Sequence, residues 1–277
     1  MVNAMFVGFR DNQLYVYHYT STRVLLDHIL PTNQLKAGRY INTNDPKESK
    51  SWSFNIGTNQ ERDLKVYSLE LLSEEMTNGM KNRTNVICFS ADRTLTGNHI
   101  KDIHNRGFCR TRMWAQYADN HKGVCLIFNR NKIHRSVLAT FPNYPIYWGT
   151  VTYVNRGIIP NLQTSPYVIN IDYLEDKGKD EYLKAHIHTH HKRLFFEKAE
   201  DWRDEVEYRW VILGNEEKHM FVDFQDALSG VLFGASCSEE DIRSVVELCK
   251  EQGRTPWFEQ LIWKGCAPWM SWRLQWP

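Results

Sequence analysis

The segment Trp202-Arg-Asp-Glu205-Val-Glu207-Tyr-Arg209 sets two carboxylates and a guanidinium at alternate positions. In an extended chain, residues two apart project from one face, so Glu205, Glu207 and Arg209 share one side of a strand flanked by the apolar Val206, Trp210, Val211 and Ile212. Two readings fit. One is a solvated edge strand in which Arg209 offsets the acids; the other is an acidic pair placed for catalysis. If Glu207 acts only in a transition state, Glu207→Gln abolishes activity and spares stability.

Four more clusters carry side chains able to do chemistry: His18-Tyr19-Thr20, Asn44-Asp45-Pro46-Lys47-Glu48, Cys88-Phe89-Ser90 and Met113-Trp114-Ala115-Gln116-Tyr117. His18 stands where a strand turns into a helix, a place where a core strand has no ordinary need of a histidine. Asn44 to Glu48 reads locally as an Asx turn ended by proline. The run His186-x-His188-x-His190-His191 is rich in metal ligands. On a helix, however, only His186/His190 and His188/His191 are neighbours, so a solvated or nucleic-acid-facing helix is expected and no metal site.

These residues need elements to hold them. Leu14 to Thr20 alternates as a strand, and a helix follows, capped by Thr20 or Ser21, with Val24, Leu25, His28 and Ile29 as its stripe and Pro31 near its end. Further strands are expected at 85–90, 123–128, 146–154, 205–213, 231–235 and 257–263. Helices are expected at 113–118, 181–198 and 239–252, the last with Ser238 as N-cap and Ile242, Val245, Val246 and Cys249 as the buried stripe. Segments 57–63, 94–106 and 176–180 read as loops or lids. Strands and helices mix without strict βαβ alternation, which points to an α+β fold with a largely antiparallel or split sheet.

The chain has 277 residues, 42% hydrophobic and 13% aromatic, ample for a core, and Lys+Arg at 34 against Asp+Glu at 33 leaves a net charge of +1. No strong global field therefore recruits nucleic acid or an anionic membrane. No apolar run approaches membrane-spanning length and the first residues lack a leader's apolar stretch, so a cytoplasmic protein with no membrane partner is expected. The six cysteines form no C-x-x-C pair, and Cys88 and Cys125 are expected to be buried and inert. A single domain over 1–277 is expected, with a core at 14–214, a soft boundary near 214–218, and a C-terminal strand-helix-strand extension at 215–277 acting as scaffold.

Taken together, H-Y-T at 18–20, N-D-P-x-E at 44–48, C-F-S at 88–90, M-W-x-x-Y-x-D-x-H-x-G at 113–123 and W-x-x-E-x-E-x-R at 202–209 resemble a bacterial family labelled a domain of unknown function (family 2971). Its members lie near abortive-infection and anti-phage genes. The resemblance covers roughly residues 14 to 260 and names no reaction. In that family Asn44 to Glu48 would shape a pocket rim.

More distantly, Tyr17-His18-Tyr19-Thr20 and the helix after it resemble the first motif of the ADP-ribosyltransferase superfamily, in which a strand-end histidine meets a ribose hydroxyl of NAD. That resemblance implies an ADP-ribosyltransferase-like split sheet with flanking helices, NAD as the substrate, and a macromolecular acceptor of protein or nucleic acid. A cognate antitoxin or defence-system partner is implied as well. Glu207 would be the catalytic carboxylate, Glu205 its partner, and His18 a ligand contact. Tyr19, Thr20, Phe89, Ser90, Trp114, Tyr117 and Arg209 would line the NAD site, with Phe89, Trp114 and Tyr117 as aromatic walls. Here Phe89-Ser90 stands where the superfamily commonly has S-T-S or spaced tyrosines. Two rivals stay open. One is a catalytically silent protein that senses a nucleotide or neutralises a toxin; the other is a metal-dependent nuclease or hydrolase using the histidines with Asp45 or Glu205.

Overall fold

The structure is a computed structural model and describes residues 15–214, 219–224 and 226–271. The first residue of the expected opening strand, Leu14, and the expected boundary after Gly214 lie outside the described residues. In chain order the strands are β1 (Tyr15–Thr20), β2 (Gln34–Arg39), β3 (Asn55–Gly57), β4 (Thr84–Ala91), β5 (Val124–Asn129), β6 (Ile146–Thr150), β7 (Thr152–Tyr153), β8 (Val168–Asn170), β9 (Glu197–Lys198), β10 (Glu207–Leu213), β11 (Met220–Asp223), β12 (Leu228–Phe233), β13 (Trp257–Lys264) and β14 (Ala267–Ser271).

Ten of them form one open sheet with the order β11-β2-β4-β1-β5-β12-β13-β14, from which β10 and β6 branch at β4. Its pairings are antiparallel apart from β12 with β13. The register explains the branch. Ser90 of β4 lies opposite both Tyr17 of β1 and Glu207 of β10, and Val86 lies opposite both Gly38 of β2 and Val211 of β10. Strands β1 and β2 therefore share one edge of β4, and β10 takes the other edge over its whole length. The result is a largely antiparallel sheet with flanking helices.

Strand β5 is buried on both faces because β1 and β12 pair with its two edges and helices cover it, which is why Val124 to Phe128 reads as an unbroken apolar run. One face of the sheet carries the largest core, where Val16, Phe89, Leu126, Trp210, Val231 and Phe233 meet helices 22–32, 130–140 and 239–251. The opposite face carries two separate cores. One gathers Val86 and Val211 under helices 69–81 and 179–195, and the other gathers Tyr17, Tyr19, Cys125 and Leu232 under helix 111–117. The polar site described below lies between them.

The helix after β1 runs from Thr22 to Thr32 and contains a π turn at Leu25–Ile29. The wider turn shifts the expected stripe: Leu25, Ile29 and Leu30 are buried, whereas Val24 and His28 face out. Asn33 then stops the helix in the left-handed conformation. The expected strand at 146–154 is broken between Thr150 and Thr152, and the helix at 179–195 stops short of Lys198. Segment 176–180 is not a loop, since helix 171–177 meets helix 179–195 at Gly178, whose φ of +75° suits glycine. Past Gly214, β11 pairs with β2 while β12 pairs with β5, so the sheet runs on through the part expected as a C-terminal extension. Among the described residues no helix is long and apolar enough to cross a membrane.

Candidate active site

The antiparallel register sets Tyr17, Ser90 and Glu207 side by side on β1, β4 and β10, and two residues along it sets Cys88 beside Arg209. Opposed residues of an antiparallel pair point to the same face, so these side chains share the face that carries two cores. Beyond Tyr17 the strand β1 leaves β4 and pairs with β5 alone. A cavity of about 280 Å³ opens at that departure. Tyr17, His18 and Tyr19 border it from β1, Cys88, Phe89 and Ser90 from β4, Asn42 to Asn44 and Glu48 from the segment after β2, and Met113 and Tyr117 from helix 111–117. Lys198, Glu205 and Glu207 complete it.

The charged groups form one connected network. Arg209, wholly buried, holds Glu207 through Nε to Oε1 at 2.6 Å and Nη2 to Oε2 at 2.7 Å. Its Nη1 reaches Glu48 Oε1 at 2.6 Å and the Phe195 carbonyl at 3.0 Å, where helix 179–195 ends. Lys198 Nζ lies 2.8 Å from Glu205 Oε2 and 2.7 Å from Glu207 Oε2, and so bridges the two acids. Tyr117 donates its hydroxyl to Glu205 Oε1 at 2.9 Å. Tyr153 accepts the Glu207 backbone N–H at 2.8 Å, and Ser90 donates to the Glu205 carbonyl.

These surroundings separate the two acids. Burial raises the Glu205 carboxyl above its ordinary value, only partly opposed by Lys198, and Glu207 adds to the rise. Burial also opposes ionisation of Glu207, but Arg209 and Lys198 outweigh it and hold that carboxyl far below the usual range. Glu207 is a fixed anion. Of the two, Glu205 holds its proton more tightly than an ordinary carboxyl and is the better suited to exchange one. For His18, burial lowers the imidazole's proton affinity, which favours the neutral ring.

The backbone at this point is unusual. Glu205 ends a 3-10 turn spanning Glu200–Glu205 instead of lying on the strand, and Val206 sits at φ +45°, ψ +54°, a left-handed conformation costly for a β-branched residue. The expected strand at 205–213 thus begins at Glu207, and the kink at Val206 still delivers both acids to Lys198.

Of the residues singled out from sequence, His18, Tyr19, Phe89, Ser90, Tyr117, Glu205 and Glu207 border the cavity, and Thr20, Trp114 and Arg209 do not. Thr20 is buried opposite Val124 of β5. Trp114 is no wall: it is fully buried, donates Nε1–H to the Phe108 carbonyl at 2.7 Å and meets the Tyr19 ring edge-on at 5.1 Å. Arg209 lies behind Glu207 and Glu48, beyond a ligand's reach. His18 alternates to the sheet face opposite Tyr17 and Glu207, where its ring packs edge-on to Phe89 at 5.8 Å and its Nδ1 is 3.4 Å from the Cys88 carbonyl. It reaches the cavity only because β1 peels away beside it. Cys88, expected to be inert and buried, also borders the cavity, with a thiol pushed well up by burial and by Glu207.

Sequence reasoning missed Lys198, which read as the end of a long helix. The segment Asn44 to Glu48, expected at a pocket rim, brings Asn44 and Glu48 to the cavity. The histidines of helix 179–195 are not all solvated. His186 is buried, with Nε2 3.0 Å from the Pro166 carbonyl and burial holding its pKa down at about 4, and His191 stacks on Tyr147 at 4.1 Å. Among the described residues no group of three His, Cys, Asp or Glu side chains is placed to hold a metal ion.

No curated protein and no solved structure matches the chain. Over residues 113–210, the stretch that carries Tyr117, Lys198, Glu205, Glu207 and Arg209, the chain is similar to the family whose model is described as a protein of unknown function (DUF2971).

Proposed function

We propose that the chain is an NAD-dependent ADP-ribosyltransferase-like enzyme that cleaves the nicotinamide–ribose bond in this cavity and passes ADP-ribose to a macromolecular acceptor, as a toxin or effector of bacterial defence. The observation that carries the reading is the acidic pair Glu205 and Glu207, joined through Lys198, beside the aromatic side chains Phe89 and Tyr117. Breaking the C1′–N bond sends its electron pair to the departing nicotinamide and builds positive charge on the ribose, which nearby fixed carboxylate charge stabilises. The acceptor's lone pair then forms the new bond at C1′, and its proton passes to a base. Glu205, whose carboxyl burial raises, suits that role better than Glu207, which Arg209 and Lys198 hold far below the usual range. The cavity lies at the small end of ligand pockets, with room for the nicotinamide–ribose end of the dinucleotide.

The same clasp on Glu207 favours a second reading, a silent member whose pocket binds a nucleotide without turning it over. Release of free nicotinamide from NAD, measured chromatographically for the wild type and Glu205→Gln, separates the two. Release by the wild type and its loss in the variant is expected. NAD binding without release supports the silent binder, and neither binding nor release overturns both readings.

A further inference from the structure

Glu48 is fully buried and borders the cavity. Arg209 takes its Oε1 at 2.6 Å, while its Oε2 has no hydrogen-bond partner among the described residues. A buried carboxylate oxygen left without a donor costs folding free energy, so such an atom at a cavity marks a place where a donor is to arrive. The charges point the same way. Three carboxylates, Glu48, Glu205 and Glu207, meet two cations, Lys198 and Arg209, in one hydrogen-bonded and ion-paired network. The other cations near Glu48, Lys81 and Lys47, feel its charge but make no ion pair with its carboxylate. Lys81 Nζ donates to the carbonyls of Lys47 and Glu48, each at 2.9 Å, and to that of Lys50, and Lys47 Nζ donates to the carbonyls of Arg193 and Glu197 at 3.2 and 3.0 Å. Asp45 lies among those lysines and offsets them.

We infer that the cavity selects a planar cationic group bearing N–H donors, one of which Glu48 Oε2 accepts. The inference rests on the reading of this cavity as the ligand site and deepens it by naming the ligand's charge. A cation supplies the charge that Lys198 and Arg209 leave uncovered, its donor completes Glu48, and Tyr117 offers aromatic surface to its plane.

Benzamidine and benzamide test this, because they share a shape and differ in charge and in donor number. Calorimetric titration of the full chain is expected to give benzamidine an affinity about tenfold or more above that of benzamide. In Glu48→Gln the side-chain oxygen stays with Arg209 and an NH2 takes the place of Oε2, so the preference should shrink to within about threefold. Glu48→Asp, which keeps the charge for Arg209 but draws the second oxygen back by one methylene, should also reduce it. Equal affinities in the wild type overturn the inference without any variant, as does binding of neither compound, and so does a tenfold preference that survives in both variants. Benzamidine selectivity without NAD turnover keeps the inference and removes the transferase reading, whereas turnover without selectivity does the reverse.

Discussion

Arg209 grips Glu207 through both carboxylate oxygens, at 2.6 and 2.7 Å, inside a site where Arg209 is wholly buried. The grip alters what Glu207→Gln should do. Removing one partner of a buried pair strands the other charge, at a cost of about 3–5 kcal/mol. Glu48 still faces Arg209, which puts the expectation at the lower end, about 3 kcal/mol. Denaturant unfolding of the variant should therefore show a clear loss of stability, contrary to the sequence-based expectation of a silent change. An unchanged midpoint would mean the pair contributes nothing.

The same grip has a pH signature. Glu207 is held below its ordinary value of 4.5, so its contribution is fully present above that pH and drains away as pH falls through and below it. Wild type should lose stability on acidification beyond the loss seen in Glu207→Gln, and the two curves should converge in strong acid. Parallel curves from neutral pH to about pH 2 would remove the ion pair as their cause.

Glu205→Gln separates chemistry from folding. A glutamine keeps an oxygen for Lys198 or Tyr117 but cannot take a proton at neutral pH. Because the folded state already disfavours the Glu205 anion, the neutral substitute should cost little stability, within about 1 kcal/mol, while NAD turnover falls about a hundredfold or more. Equal turnover in wild type and variant would take Glu205 out of the chemistry.

Much of the sheet is legible because its strands obey simple periodicities. Val124 to Phe128 is continuously apolar where both faces are covered, and Glu207 and Arg209 alternate with apolar neighbours on β10. The helix at 239–251 announces itself through Ser238, whose hydroxyl accepts the Asp241 N–H at 3.1 Å. The site is legible only in pieces. Lys198 reaches it from β9, a two-residue strand fixed by pairing with β7 that no local pattern signals. Val206 gives no sequence sign of its left-handed backbone, since a β-branched residue is the poorest choice for one. Trp114 and Tyr117 sit three apart on one helix, yet Tyr19 and the Phe108 carbonyl draw the indole into the core while Glu205 draws the phenol to the cavity.

Glu259 offers a check away from the site. It lies on β13 opposite Leu232 of β12, and burial pushes its carboxyl up from 4.5 to about 7. The unfolded chain ionises first as pH rises, so the folded state loses relative stability between pH 4.5 and about 7 and stays lowered above. Glu259→Gln should be more stable than wild type at pH 8, by about 1–2 kcal/mol once solvent screening is allowed for, with the advantage gone at pH 4. Melting curves of both proteins at the two pH values decide it, and an advantage over wild type no larger at pH 8 than at pH 4 would show that the carboxyl titrates normally.

The C-terminal strands give the last test, because the pairings tie them to the strands that position the site. Strand β12 pairs with β5, which pairs with β1, and β1 carries His18 and Tyr19. Val231, Leu232 and Phe233 of β12 are wholly buried; Ile242, Val245 and Val246 of helix 239–251 share the core of Val231 and Phe233, while Leu232 fills the core on the other face. A chain ending at Gly214 would bare the outer edge of β5 and an apolar face, losing about 1.5–3 kcal/mol for each large side chain whose burial it forfeits. Six such residues exceed the whole stability of an ordinary domain, about 5–15 kcal/mol, at the upper figure and consume most of it at the lower. The shortened chain should be recovered insoluble, or soluble without cooperative unfolding. A soluble product with a sharp melting transition and wild-type benzamidine affinity would show instead that residues before Gly214 fold on their own and that the C-terminal strands only decorate the sheet.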